Sequence, residues 1–184
     1  MRHRGADVRG LTDLDDAGHI PGKESAVAAL HFDKSLIVLL EDDGLDTFNV
    51  EERLAGMLYG GGWVKPSYKA ALHAREEEFP TGLDAVSLGA GFNVAVPHCD
   101  PEHVVHGAIC VGILRNPVSW RRMDDPSKSC DVSLVVMLAL DEAHAHLEML
   151  QKVMSLVQDD ASMEKIVCAK STDEAYELLK SKLY

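Results

Sequence analysis

Residues 93–107 read NVAVPHCDPEHVVHG, a short apolar run followed by three histidines and a cysteine within nine positions. Pro97 fixes its own φ and holds Val96 in extended backbone, so His98 is delivered where the run stops. In α/β folds, ligands gather at the carboxyl ends of strands. An imidazole with an ordinary pKa of about 6.5 offers a neutral, nucleophilic nitrogen at cellular pH. The residues alone leave three readings of His98: a reactive nitrogen, a loop histidine in solvent, or a metal ligand with Cys99, His103 and His106. Tetrahedral zinc needs three or four convergent ligands, commonly spaced as two pairs. These four follow no such spacing and the chain has no C-x-x-C, so no metal is expected.

Two other stretches carry groups suited to an anion. AREEEFPTG (74–82) places Arg75 near the end of an expected helix. Its guanidinium can grip phosphate oxygens in a two-pronged way. The plain alternative is an exposed pair with Glu76, Glu77 or Glu78, worth under about 1 kcal/mol. DEAHAHLEMLQ (141–151) places His146 in the first turns of a helix, where free N–H groups favour negative charge. His144 is expected on the solvated face. Nucleotide chemistry is not supported: GAGFN (89–93) is followed by Val94 where G-x-G-x-x-G needs its last glycine. Neither G-x-x-x-x-G-K-[ST] nor G-x-S-x-G occurs.

The elements that must position these groups alternate between strand and helix. A strand is expected at 35–40 (SLIVLL). A helix follows, capped by Asn49 with Glu52 completing a capping box and Gly60 to Gly62 stopping it. A second helix spans 66–80, between two prolines. Glycine-rich turns lead into the strand that ends at Pro97. The runs 106–116 and 131–140 are rich in Val, Ile and Leu with little alternation, as suits central strands covered on both faces. Leu147, Leu150, Val153, Met154 and Val157 form one stripe of a helix over 141–158. KIVCA (165–169) is expected as a short strand, and 171–184 as a closing helix with Ser171 and Glu174 placed for a capping box. The class is α/β: a central mixed, largely apolar sheet with helices on both faces.

A chain of 184 residues suits one domain plus an appendage. Residues 1–32 hold few large apolar groups and many turn formers; they read as a flexible leader, an upstream start of translation, or a docking arm, with the domain at 33–184. The net charge of −12 disfavours nucleic acid and anionic membrane as partners. No apolar stretch approaches the roughly 20 residues needed to cross a bilayer, and the first residues carry charges without an apolar h-region, so a secretory signal is not expected. Four dispersed cysteines fit a reducing cytosol, with Cys110 expected as a buried thiol.

ALHAREEEFPTGL, VAVPHCD and HLEMLQKVMSLVQD together resemble the enzyme IIA domains of the bacterial phosphotransferase system, in the fructose/mannitol superfamily. AREEEFPTG ahead of VPHC is most similar to the galactitol-type members. The ordered set R-E-x-x-x-P-T-G, P-H and H-L-x-x-L-x-x-V carries the resemblance over about residues 33–184. It implies a sandwich like that of the mannitol and fructose IIA domains. It implies that His98 accepts a phosphoryl group from the histidine-phosphocarrier protein HPr and passes it to a cysteine of a IIB protein or domain. Arg75 and His146 then fall on the arginine and second histidine of the family's site. A membrane IIC permease would be an indirect partner, and no cofactor is implied. Within the same superfamily the alternative is a regulator whose phosphorylation state controls partner binding, without sugar transport. A zinc-binding module is the remaining alternative outside it.

Overall fold

The two runs richest in Val, Ile and Leu become the middle of the sheet. The computed structural model describes residues 30–141 and 143–183. Strand β1 is Ile37–Leu40, followed by helices α1 (Thr47–Gly60) and α2 (Tyr68–Glu78). Short strands β2 (Gly82–Leu83) and β3 (Asn93–Ala95) precede the long β4 (Ala108–Arg121) and β5 (Ser129–Ala139). Helices α3 (Ala143–Val157), α4 (Asp160–Val167) and α5 (Thr172–Leu183) complete the chain. The sheet order is β1-β4-β5-β3-β2. β4 and β5 pair antiparallel, β1 lies parallel to β4, β3 parallel to β5, and β2 antiparallel to β3. The sheet is therefore mixed, as expected.

Side chains alternate across a strand, and here both faces are apolar. Ile109, Val111 and Ile113 of β4 join Leu134, Val136 and Leu138 of β5 in a core with Met149, Val153, Ile166 and Leu179. Cys110, Val135, Met137 and Trp120 point the other way, into a core with Leu54, Leu58, Tyr68 and Leu72. Thus α1 and α2 cover one face and α3, α4 and α5 the other. Cys110 is fully buried, as its apolar setting requires.

The structure corrects four local expectations. Residues 165–169 form no strand: they fall at the end of α4 and the turn after it. Met163 and Ile166 are buried from that helix, and Asp159 caps it by accepting from Ser162 N at 3.1 Å. A five-residue apolar run carries too little period to separate strand from helix. Asn49 is not the cap of α1. Asp46 is, accepting from Asn49 N at 2.8 Å, while Asn49 Oδ1 faces Asp46 N at 3.4 Å. Glu52 instead binds Lys69 and His73. At α5, Ser171 Oγ accepts from Glu174 N at 3.2 Å, but the Glu174 carboxylate accepts from Lys170 N. Finally, Leu30 and Phe32 are buried, and His31 stacks on Trp63 at 4.0 Å. Residues 30–32, placed in the expected leader, thus pack on the domain; the leader's residues 1–29 lie outside the described residues. Among the described residues no helix is long and apolar enough to cross a membrane.

Candidate active site

β3 and β5 run parallel, so they deliver chain to the same edge of the sheet. Beyond β3, Leu138 N donates to Pro97 O at 3.0 Å, which keeps the exit stitched to β5 as far as His98. β5 passes through Leu140 into α3, which carries His146 to that edge. Helix α2, packed on α1, brings Arg75 across from the other layer. The rings of His98 and His146 meet edge-on, with centroids 4.3 Å apart. With Arg75, Cys99, Asp100 and Leu140 they line a cavity of about 240 Å³.

His98 Nδ1 lies 2.8 Å from Val96 O. A carbonyl only accepts, so Nδ1 carries the hydrogen and Nε2 keeps its lone pair. Burial pushes the His98 pKa down to about 4; the nearby His146 and Arg75 add to this, against the bond to Val96 and the charge of Asp100. Burial, then the charge of Arg75, also lowers His146. His98 is therefore neutral throughout the cellular pH range. We expect an NMR titration to give His98 a midpoint near pH 4 with the hydrogen on Nδ1 above it. A midpoint near the free value of about 6.5 would mean a solvated ring without its bond to Val96. The folded pKa lies below the unfolded one, so this ring's contribution to stability is whole above pH ~6.5 and is lost as pH falls towards 4.

Arg75 Nη1 is 3.6 Å from Asp100 Oδ1, and the guanidinium lies 5.7 Å from the Phe79 ring centre. Its Nε is buried without a hydrogen-bond partner. The expected alternative of pairing with the glutamates does not hold for Glu76, which turns into the core. The Cys99 thiol is pushed up to about 12, mainly by burial, which makes it an inert wall and not a nucleophile. His103 stands apart, its Nδ1 2.9 Å from Ser67 Oγ. Among the described residues no three His, Cys, Asp or Glu side chains converge to hold a metal. The His144 side chain lies outside what the structure describes. The structure thus gathers His98, Arg75 and His146 at one cavity and adds Asp100, which the sequence reading passed over. Its place two residues beyond His98 was the available signal.

A second polar cluster lies between α1 and α2. His73 Nδ1 is 2.5 Å from Glu51 Oε2, and its Nε2 is 2.9 Å from Glu52 Oε1. Glu51 is 2% exposed and its Oε1 has no partner. Burial, then the charge of Glu76, pushes its carboxyl up to about 7, against the hydrogen bond from His73. The folded state therefore holds a proton that the unfolded chain releases near pH ~4.3, and stability falls as pH rises from there towards 7. Glu51→Gln removes this loss. Urea titrations should show the variant gaining on the parent between pH 5 and pH 8; a gap independent of pH would mean that Glu51 does not titrate in this window.

The family described as "Phosphoenolpyruvate-dependent sugar phosphotransferase system, EIIA 2" matches residues 31–182. Among curated relatives, the galactitol-specific EIIA component of the phosphotransferase system of Escherichia coli is 27% identical over 128 residues, 70% of this chain and 82% of that one. Transcriptional regulator ManR of Bacillus subtilis is 28% identical over 118 residues, 64% of this chain but 16% of its own length. Among solved structures, the complex of enzyme IIAMTL and phosphorylated enzyme IIBMTL from Escherichia coli superposes with a TM-score of 0.66 at 21% identity, covering 83% of this chain and 99% of that one. That likeness carries the fold. With the family match running through almost all of the packed domain, the chain belongs to the EIIA 2 family of the phosphoenolpyruvate-dependent sugar phosphotransferase system, a family of phosphotransferases.

Proposed function

We propose that this protein is a cytoplasmic phosphoryl carrier. His98 Nε2 takes the group from phosphorylated HPr and passes it to a cysteine of a IIB partner, for uptake of a galactitol-like polyol or sugar through a IIC permease. The observation that carries this reading is the bond between His98 Nδ1 and Val96 O, which leaves Nε2 unprotonated beside two cationic or hydrogen-bonding groups. The Nε2 lone pair forms the new N–P bond as the donor's N–P bond breaks, and the donor imidazole leaves with its own electron pair. In the second step the IIB thiolate forms an S–P bond and Nε2 recovers its pair. Arg75 and His146 bind the equatorial oxygens, where charge stabilisation and in-line placement supply most of the catalysis. The burial that keeps His98 neutral also disfavours positive charge on the phosphorylated ring, which helps the group to leave again.

The galactitol-like assignment rests on the relative of that name and on R-E-x-x-x-P-T-G ahead of VPHC. Incubation with enzyme I, HPr and phosphoenolpyruvate should yield one acid-labile phosphate, mapped by mass spectrometry to the peptide bearing His98. The match to a transcriptional regulator supports a second reading, in which the phosphorylated histidine switches partner binding through its added charge. Label that passes from His98 to a IIB cysteine and is chased from there onto the polyol supports transport. Label that stays on His98 while altering the binding of another protein supports regulation.

A further inference from the structure

R-E-x-x-x-P-T-G contains more than the arginine. Tyr68, Leu72 and Glu76 are the buried residues of α2, four apart along one face, so Glu76 enters the core directly beneath the turn that carries Arg75. Glu76 is 6% exposed and is fully engaged. Its Oε1 accepts from Thr81 N at 2.7 Å and from Trp120 Nε1 at 2.6 Å, and its Oε2 accepts from Thr81 Oγ1 at 2.9 Å. Thr81 is 2% exposed and Trp120 fully buried. The next residue, Gly82, pairs with Ala95 of β3, three residues before His98. Gly82 also lies so close to β4 that a Cβ there would sit 2.5 Å from Arg121 O. Met123 N donates to Gly82 O at 2.8 Å, which holds that approach.

We infer that Glu76 is a positioning residue for phosphoryl transfer: its carboxylate latches the Arg75-bearing turn of α2 to Thr81, and through Gly82 and β3 to the strand that delivers His98. The path is continuous: Arg75 to Glu76 by the chain, Glu76 to Thr81 by two hydrogen bonds, Gly82 to Ala95 by strand pairing, and Ala95 to His98 by the chain. Trp120 ties the same carboxylate to β4. Each motif position then has a task. Arginine supplies the clamp and glutamate the acceptor; proline fixes the turn, threonine gives the donors, and glycine permits the close strand approach. Arg121 Nη1 supports the same turn by donating to Glu77 O at 2.7 Å. The inference rests on the reading of His98 and Arg75 as acceptor and clamp.

The test is single-turnover phosphoryl uptake from phosphorylated HPr by the full chain, with folding checked by denaturation. Glu76→Ala leaves the donors of Thr81 and Trp120 unpaired and frees the turn. The rate constant at saturating donor should fall about 10- to 100-fold, with the half-saturating donor concentration unchanged, because misplacement acts on the chemical step. Glu76→Gln should stay within about 2-fold of the parent: its amide oxygen keeps both Oε1 bonds, and its NH₂ donates to a Thr81 hydroxyl turned to accept. Glu76→Ala combined with Arg75→Ala should be no slower than Arg75→Ala alone, since the latch acts through the arginine. Should Glu76→Ala not fold, Thr81→Val keeps the N–H bond, removes the hydroxyl bond, and should slow uptake about 3- to 10-fold. Normal transfer by the folded Glu76→Ala or Thr81→Val protein overturns the latch. So does a Glu76→Gln protein as slow as Glu76→Ala, and so do losses that multiply in the double variant. Labelling of His98→Ala in the same assay overturns instead the acceptor reading beneath it.

Discussion

His98→Ala takes up no detectable phosphoryl group from phosphorylated HPr, while its unfolding midpoint stays near that of the parent. The loss is complete if none of the neighbouring groups takes over from Nε2. Cys99 has its pKa pushed up to about 12 and remains a thiol. Asp100 is a carboxylate beside Arg75, and Arg75 has no free electron pair to attack with. His146 is the other imidazole lining the cavity. It lies on α3, its ring centre 4.3 Å from that of His98, with a pKa lowered by burial and by Arg75. If it only steadies the transferring group, His146→Ala should retain a residual rate reduced about 10²- to 10³-fold, the loss seen when one stabilising donor is removed from a transition state. The fold survives His98→Ala because the ring is half-buried at a rim. Its truncation frees only Val96 O, which water in the adjoining 240 Å³ cavity can satisfy at a cost of about 1 kcal/mol. Quantitative labelling with acid-labile phosphate decides the matter. Label on His98→Ala that disappears in His146→Ala would move the acceptor to α3.

The parts of the site that could be read in advance are those set by local chain. Pro97 ends an apolar run and presents His98, and the structure keeps that arrangement. The sheet was legible because Ile109 to Leu114 and Val132 to Leu140 cannot be exposed on either face. The meeting of Arg75 with His98 and His146 is of another kind. It depends on strand order and on which layer each helix joins, and nothing in the spacing of 75, 98 and 146 states it; the family resemblance supplied it. Glu76 shows a signal that was present but unused. Three consecutive glutamates suggest a solvated face, yet the four-residue step from Tyr68 through Leu72 places the first of them in the core. The pairing of Glu51 with His73 joins two helices through side chains, and only their packing brings it about. The strand expected at 165–169 failed for the opposite reason: local propensity was followed where burial of Met163 and Ile166 at helical spacing prevailed.

Leu54→Ala should be among the most destabilising single changes on the α1 side of the sheet. Leu54 is fully buried and lies over Gly112 of β4, where an added Cβ would meet Leu54 Cδ1 at 3.3 Å and Cδ2 at 3.4 Å. Truncation removes the apolar contacts and leaves a cavity above a residue with no side chain to fill it, at a cost of about 3–5 kcal/mol. That is a large part of the roughly 5–15 kcal/mol that keeps a domain folded. Gly112→Ala alone overfills the same place and should cost about 1–2 kcal/mol, moderated by the better strand preference of alanine. Combined, the new methyl occupies the space that the leucine vacates. The double variant should therefore be more stable than the sum of the two losses allows, by about 1 kcal/mol or more. Urea denaturation of the four proteins measures this directly. The result bears on function, because α1 carries Glu51 and Glu52, which grip His73 and Lys69 of the helix that holds Arg75. Strict additivity would mean that α1 moves away from the sheet when Leu54 is cut, and phosphoryl uptake by Leu54→Ala should then fall well beyond its unfolded fraction. Strong coupling with normal uptake would mean that the helix stays seated and the cost is confined to one filled or unfilled space.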